Sequence, residues 1–177
     1  QTNISLPLDG SLPNFQGTAE LNNFEGKLNQ FTTAIENTNA KLQLAGQKII
    51  VENLNTQWGD INATAKGNIN LAQGYDLTAN VEPTPVAQLL SAIDIDPNKI
   101  PISGTIEANL AITGALDNPQ INITAKSTET TTVDQVKISR LQTELSVQGT
   151  QVKVENFQAT PKTGGTVTAQ GTLNLTD

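Results

Sequence analysis

Hydrophobic and polar residues alternate along most of this chain with a period of two. In the clearest run, residues 102–112, the even positions are apolar or glycine and nearly all of the odd positions are polar. Such alternation predicts a β-strand with one apolar and one polar face. Asp117-Asn118-Pro119 then predicts a turn, and the alternation resumes over residues 120–125. The local unit is therefore a pair of amphipathic strands joined by a turn.

The same pattern divides the rest of the chain into short strands. The predicted strands are 4–8, 18–21, 27–35, 41–44, 48–54, 60–71 and 75–81, then 102–112, 120–125, 132–138, 141–147, 151–157 and 166–175. Turn signals such as Ala45-Gly46, Gln73-Gly74 and Gln148-Gly149 separate them. Strands joined by such short loops pair as antiparallel neighbours, so the pattern predicts an all-β meander.

One segment, near 84–93, departs from this alternation. Thr84 is a suitable cap, and Pro85 stands near the first helical position. The apolar residues that follow have the i, i+3, i+4, i+7 spacing of one helical face: Val86, Leu89, Leu90 and Ile93. The segment therefore predicts one short helix.

The chain also repeats itself after about 104 residues. LQLAGQKIIVEN, which begins at Leu42, aligns with LSVQGTQVKVEN at Leu145, and both end in Val-Glu-Asn. INATAKGNINL, from Ile61, aligns with GTVTAQGTLNL, from Gly165. We interpret residues 1–81 as a first β-repeat unit, 82–101 as a helix-containing connector and 102–177 as a second unit. Together they would form one continuous domain of a longer protein, because the chain starts inside a strand-like pattern.

Composition narrows the possible functions. The formal net charge of −7 argues against nucleic acid as a partner. The chain has no His and no Cys, so the commonest general base and the usual soft metal ligands are missing. We find no catalytic constellation, predict no enzyme activity and expect no cofactor or metal. Hydrophobic residues make up 36% of the chain but aromatic residues only 3%, which favours a thin sheet over a thick core.

Two groups of acidic residues have a structural explanation. Asp94-Ile-Asp96-Pro-Asn98 looks like the start of a calcium loop, but Lys99 stands where that loop needs glycine and Thr105 where it needs glutamate. A turn is the better interpretation. Glu52 and Glu155 occupy equivalent repeat positions, and we expect both on the solvent face of a strand.

The apolar face of the strands is the strongest functional signal. Its predicted lining consists of Leu42, Leu44, Ile49, Val51, Ile61, Ile69, Leu71, Leu77, Val81, Ile102, Ile106, Leu110, Ile112, Ile121, Ile123, Leu145, Val147, Val152, Val154, Val167, Leu173 and Leu175. This face could be covered in a closed sandwich or barrel core. It could instead line an open groove, since small and medium aliphatic side chains leave room for acyl chains. The residues alone leave both possibilities open.

The segment ISGTIEANLAITGALDNPQI, residues 102–121, resembles the C-terminal repeats of the TamB family, within the AsmA-like group of envelope proteins. The shared pattern is a strand between two glycines, followed by a leucine and a turn at Asn-Pro. The resemblance implies a long antiparallel curved sheet, a half-pipe or β-taco with a hydrophobic lumen. The Thr, Asn and Gln content suits a cyanobacterial or chloroplast-type member.

The resemblance also implies a function and a location. TamB-like proteins are anchored in the inner membrane, span the periplasm and work with an Omp85-type outer-membrane barrel. They are implicated in phospholipid transport between membranes, in outer-membrane protein biogenesis and, for chloroplast relatives, in protein translocation. We therefore expect phospholipid acyl chains in the groove. Two alternatives are a groove or sheet edge that chaperones polypeptide strands for the Omp85 partner, and a closed-core β-solenoid adhesin or binding module.

Overall fold

A computed structural model describes residues 3–5, 13–27, 33–92 and 94–174. The described chain is almost entirely β-structure, in thirteen strands: β1 (Asn3–Ser5), β2 (Asn14–Lys27), β3 (Ala34–Gly46), β4 (Lys48–Trp58), β5 (Ile61–Asn70), β6 (Gly74–Pro85), β7 (Ile102–Ser103), β8 (Thr105–Ala115), β9 (Asn118–Ser127), β10 (Thr131–Val133), β11 (Val136–Gln148), β12 (Gln151–Pro161) and β13 (Val167–Asn174). The helix α1 (Val86–Ala92) and a 3₁₀ turn, Pro97–Lys99, lie between β6 and β7.

All thirteen strands belong to one antiparallel sheet. They follow the chain order from β1 to β6, β6 then pairs with β8, and β8, β9, β11, β12 and β13 complete the series. The short strands β7 and β10 pair with each other, and β10 also pairs with the start of β11. The sheet does not close on itself and forms a curved half-pipe. The all-β fold class predicted from the sequence is therefore confirmed.

β-Bulges interrupt the strands in mid-length and let them bend. In β4, Glu52 and Asn53 together oppose Lys41 on one side and Lys66 on the other. In β12, Glu155 and Asn156 form the equivalent bulge. A bulge adds one residue to its strand and bends it locally. The repeated Val-Glu-Asn triplet is thus the signature of a bend, and the exposed Glu52 and Glu155 lie on the outer face.

Bulges also explain where the strand predictions are wrong. The predicted strand 18–21 is only the middle of β2, which runs unbroken from Asn14 to Lys27. Of the predicted strands 4–8 and 27–35, residues 6–8 and 28–32 lie outside the described residues, and Thr33 lies in a bend before β3. In β2 the bulge follows Leu21, so Phe24 is the next residue on that face and the alternation is broken. The predicted strand 132–138 is in fact two strands, β10 and the start of β11, separated by a turn in which Asp134 has a φ of 55°.

The predicted helix forms at one end of the strands. α1 covers Val86–Ala92, while Ile93 lies outside the described residues. The Val86 amide donates to the Gly104 carbonyl oxygen at 2.9 Å, which ties the start of the helix to the junction of β7 and β8. Val86 and Ala92 are buried. Asp96 caps the following 3₁₀ turn by accepting a hydrogen bond from the Asn98 amide at 3.0 Å, as expected of a turn.

The only cluster of buried side chains that forms a hydrophobic core in the described chain lies where β11 and β12 meet β8. It consists of Ile138, Leu141 and Ala159, with Ile106 and Phe157 packed against it. We call this cluster the packed corner. Thr131 of β10 pairs with Ile138 and is fully buried. Gly104 lies beside it, and a Cβ at Gly104 would stand 2.8 Å from Thr131 Oγ1, so this position requires glycine.

Candidate functional site

The candidate site is the face of the sheet that carries the apolar side chains, which the strand registers define and which we call the lumen face. Because side chains alternate between the two faces of a sheet, residues paired across strands form continuous rows on one face. The first lumen row is Ala19, Leu42, Val51, Gly67, Leu77, Ile112, Ile121, Val147, Val152 and Leu173. The second is Leu21, Ala40, Leu54, Ala65, Ala79, Leu110, Ile123, Leu145, Val154 and Gly171. Two parallel apolar rows therefore run from β2 to β13.

The other predicted lining residues lie on the same face or beyond it. Leu44, Ile49 and Ile69 form a row next to the first, toward the hairpin ends. At the other ends of the strands, away from Leu44, Ile49 and Ile69, the registers place four more predicted residues on this face: Val81, Ile61, Ile106 and Val167. Two predicted residues lie elsewhere: Leu71 is in the turn after β5, and Ile102 belongs to the separate strand β7. Leu175 lies outside the described residues.

Side-chain exposure shows that the lumen face is open. Of the predicted lining residues, only Val51 and Ile61 are buried, at 6% and 3% exposure. The residues from β8, β9, β11 and β12 are half-buried, and Val167 and Leu173 on β13 are 53% and 60% exposed. A second layer packed on this face would bury these side chains, and the described residues contain no such layer. The face is a trough rather than a core.

A third row, which follows the bends of the strands, has smaller and more polar side chains. We call it the floor row: Phe24, Thr38, Thr56, Ala63, Val81, Ala108, Ala125, Thr143, Phe157 and Ala169. Thr38 Oγ1 and Thr56 Oγ1 share a hydrogen bond of 2.7 Å, so their polar atoms satisfy each other.

Sequence analysis missed several lumen residues for one reason. After Val51 simple alternation expects Asn53 on the same face, but the bulge brings Leu54 there instead. In β12 the corresponding bulge places Phe157, not Asn156, on the lumen face. The repeated Val-Glu-Asn triplet was the available signal, since two identical polar interruptions of two good strands indicate bulges.

Charge is confined to the other side of the sheet. None of the lumen positions in these rows from β2 to β13 is Asp, Glu, Lys or Arg. The outer face carries the ion pairs Lys41–Glu52 at 3.3 Å, Lys126–Glu107 at 3.0 Å and Lys153–Glu155 at 2.8 Å. It also carries hydrogen-bonded amides, such as Gln142 Nε2 donating to Gln158 Oε1 at 2.9 Å. The lumen rows are thus uncharged, and the charged side chains of these strands lie on the outer face of the sheet.

Away from the lumen face, the described residues form a pocket beside α1 but no cluster of metal ligands. They contain no group of three or more acidic, Cys or His residues placed to hold a metal ion. A pocket of about 320 Å³ lies between α1 and the Gly59-Asp60 turn, and Gln88 and Ser91 line it. Trp58 lies next to this pocket, because its Nε1 donates to the carbonyl oxygen of Thr33, one of the lining residues, at 3.1 Å. No helix in the described part has the length and apolar character needed to cross a membrane.

Comparison of the chain with protein-family models, with curated proteins and with solved structures gives no match. The motif that resembles the TamB repeats has a clear position in the fold. It spans β7, β8 and the turn into β9, with Gly104 against Thr131 and Gly114 paired with both Tyr75 and Pro119.

Proposed function

We propose that this chain is a segment of a TamB-like protein of the periplasm, and that its trough shields phospholipid acyl chains during transport between membranes. The observation that carries the proposal is the lumen face, which is continuous and uncharged from β2 to β13 and most of whose apolar side chains are half-buried or exposed. The proposal includes a parent chain anchored in the inner membrane and an Omp85-type partner, both of which rest on the resemblance of residues 102–121 to the TamB repeats.

The dimensions of the trough suit an acyl chain. Ten strands lie side by side from β2 to β13, omitting β7 and β10. At about 4.8 Å between strands, the path along the lumen is roughly 43 Å. The hydrocarbon core of a bilayer is about 30 Å thick, so one leaflet's chains reach about 15 Å. The trough is therefore longer than a single acyl chain and provides several successive positions for it.

The chemistry of the lining suits movement as well as binding. Each CH₂ group removed from water contributes about 0.8 kcal/mol, so an acyl chain gains by staying in contact with the lumen face. Apolar contacts are non-directional, and adjacent strands present the same rows of Ile, Leu and Val. A chain can therefore shift by one strand without losing a specific contact, while the headgroup remains at the open side of the half-pipe.

A single charge in the second lumen row tests this proposal. Leu110→Asp puts a carboxylate among apolar neighbours in a half-exposed position, so we expect it to remove lipid binding without unfolding the sheet. Ile112→Asp should act in the same way. Asn109→Asp is the matched control, because Asn109 is exposed and lies on the outer face of the same strand.

The measurement is native mass spectrometry of the chain purified from a bacterial host without detergent, followed by lipid extraction. We expect phospholipid to accompany the wild type and Asn109→Asp but not Leu110→Asp, with circular dichroism unchanged in all three. A wild-type chain free of lipid that also takes none from vesicles would refute lipid binding. Co-purifying peptide in place of lipid would favour polypeptide cargo.

A further inference from the structure

The two long rims of the sheet, where its strands end, differ in packing. Four described hairpins lie along one of them, which we call the hairpin rim: residues 46–48, 70–74, 115–118 and 148–151. Within four residues of these hairpins the described strands contain one buried side chain, Val51. The other rim carries the packed corner and α1, in which Val86 and Ala92 are buried. The trough is therefore accessible from the hairpin rim, whereas packed side chains occupy much of the opposite rim.

Polarity rises in steps toward the hairpin rim. On the lumen face of β6, Leu77 belongs to the first lumen row, and the next residue toward the rim is Tyr75. Tyr75 is the one tyrosine of the chain, is half-buried and pairs with Ile69 and Gly114. A tyrosine combines an apolar ring with a polar hydroxyl and suits the boundary between hydrocarbon and water. The sequence of apolar row, tyrosine and polar rim matches the order of a lipid from its acyl chains to its headgroup.

The hairpin rim is polar but almost uncharged. It carries five exposed amide side chains: Gln47, Gln73, Asn118, Gln148 and Gln151. Its charged residues are Lys48 and Asp117, one of each sign. The hairpins follow one another at every second strand, so the amides recur about every 10 Å along the rim. A headgroup at this rim therefore meets amides repeatedly and a cation once.

The chemistry of an amide favours one class of headgroup. A side-chain amide presents both N–H donors and a carbonyl acceptor. A zwitterionic headgroup such as phosphoethanolamine presents phosphate oxygens that accept and an ammonium group that donates, so both of its parts find partners on the same amides. An anionic headgroup has no cation of its own to balance its phosphate. The chain carries a net charge of −7, which repels such a headgroup.

We infer that the hairpin rim holds the lipid headgroup, and that the trough selects phospholipids without net headgroup charge over anionic phospholipids. The inference rests on the proposed function, since it requires acyl chains in the trough. It adds the position of the headgroup and the class of lipid. Because equivalent hairpins follow one another, a headgroup that moves by two strands reaches a new set of amides.

The test offers both classes of lipid at once. The 177-residue chain is incubated with vesicles of equal parts phosphatidylethanolamine and phosphatidylglycerol that have the same acyl chains, and is then separated from the vesicles. Mass spectrometry of the extract gives the ratio of the two bound lipids. We expect about a fivefold excess of phosphatidylethanolamine at 0.1 M salt and about a twofold excess at 1 M, because the Debye length falls from about 10 Å to about 3 Å.

Two variants with the same change of charge locate the headgroup. Gln73→Lys adds a cation to the hairpin rim and should lower the excess at 0.1 M salt from about fivefold to about twofold. Gln135→Lys is the matched control. Gln135 is exposed in the turn between β10 and β11, at the opposite rim, so this variant should keep the wild-type ratio.

The outcomes separate this inference from the proposal on which it rests. Uptake of neither lipid would refute lipid binding in the trough and this inference with it. Equal uptake at 0.1 M salt, or an excess of phosphatidylglycerol, would keep the trough as a lipid site and refute the selection. If Gln73→Lys and Gln135→Lys lower the ratio equally, the net charge of the chain sets the preference, and the headgroup is not at the hairpin rim.

Discussion

The trough and the packed corner are built from the same kinds of residue and differ in what covers them. Leu110 in the second lumen row and Leu141 in the packed corner both belong to alternating strands and both lie on the lumen face. Leu110 is half-buried, whereas Leu141 is 7% exposed and packs against Ile138 and Ala159. A period-two pattern therefore specifies an apolar face but not whether that face stays open or becomes part of a packed core.

Local backbone features account for the difference. At the packed corner, a bulge between Ile138 and Arg140 in β11 and the break at Gly104 between β7 and β8 bring side chains of neighbouring strands together. Across the middle of β8 and β9 the pairing is regular from Ile106–Ser127 to Ala115–Asn118. Regular pairing leaves the side chains in parallel rows with an open side.

The same truncation at the two sites should therefore have unequal effects on stability, and this is the largest effect we predict. Leu141→Ala leaves a cavity among buried neighbours and should lower the free energy of unfolding by about 3 kcal/mol. Leu110→Ala removes a side chain that already contacts water and should cost about 1 kcal/mol. Urea unfolding followed by Trp58 fluorescence measures both. Equal costs would show that the trough is covered as thoroughly as the corner.

Gly104→Ala tests whether the corner depends on close backbone approach. Gly104 has a φ of 140°, and its new Cβ would lie 3.0 Å from Thr131 Cα. We expect a loss of about 2 kcal/mol, from backbone strain and from displacement of β10. Gly149→Ala is the control, because Gly149 also has a positive φ, 55°, but no atom within 4 Å of the added Cβ. If the two variants lose the same stability, then strain alone explains the effect and the contact with Thr131 contributes nothing.

Sequence alone predicted the antiparallel meander, the helix near residues 84–93 and most of the apolar residues that share one face of the sheet. These features depend on local alternation, turn residues and helical spacing. The packed corner was not predicted, because Leu141 reaches Ala159 only through pairing of β11 with β12, and because bulges shift the faces of Ile138 in β11 and of Ala159 in β12. Thr38 of the floor row was not predicted on the lumen face because it follows a bulge at Asn37, which shifts the alternation by one residue. A bulge that occurs once, such as the one at Asn37, has no strong signature in a single sequence, whereas the repeated Val-Glu-Asn triplet does mark one.

Two buried threonines, one at the packed corner and one in the floor row of the trough, give the smallest and most specific prediction. Thr131 in the corner is fully buried, and its Oγ1 has no hydrogen-bond partner among the described residues. Thr38 in the floor row is 4% exposed, but its Oγ1 is bonded to Thr56 Oγ1. A buried hydroxyl without a partner costs free energy, whereas removing one member of a buried pair leaves the other unsatisfied.

Thr131→Val should therefore raise the free energy of unfolding by about 1 kcal/mol, while Thr38→Val should lower it by about 1 kcal/mol. Both substitutions keep the β-branched shape, so packing changes little in either case. Urea midpoints of the two variants, measured against the wild type, check the opposite signs. A loss of stability in Thr131→Val would mean that this hydroxyl has a partner in solution, and the corner would then contain a polar contact in place of a purely apolar one.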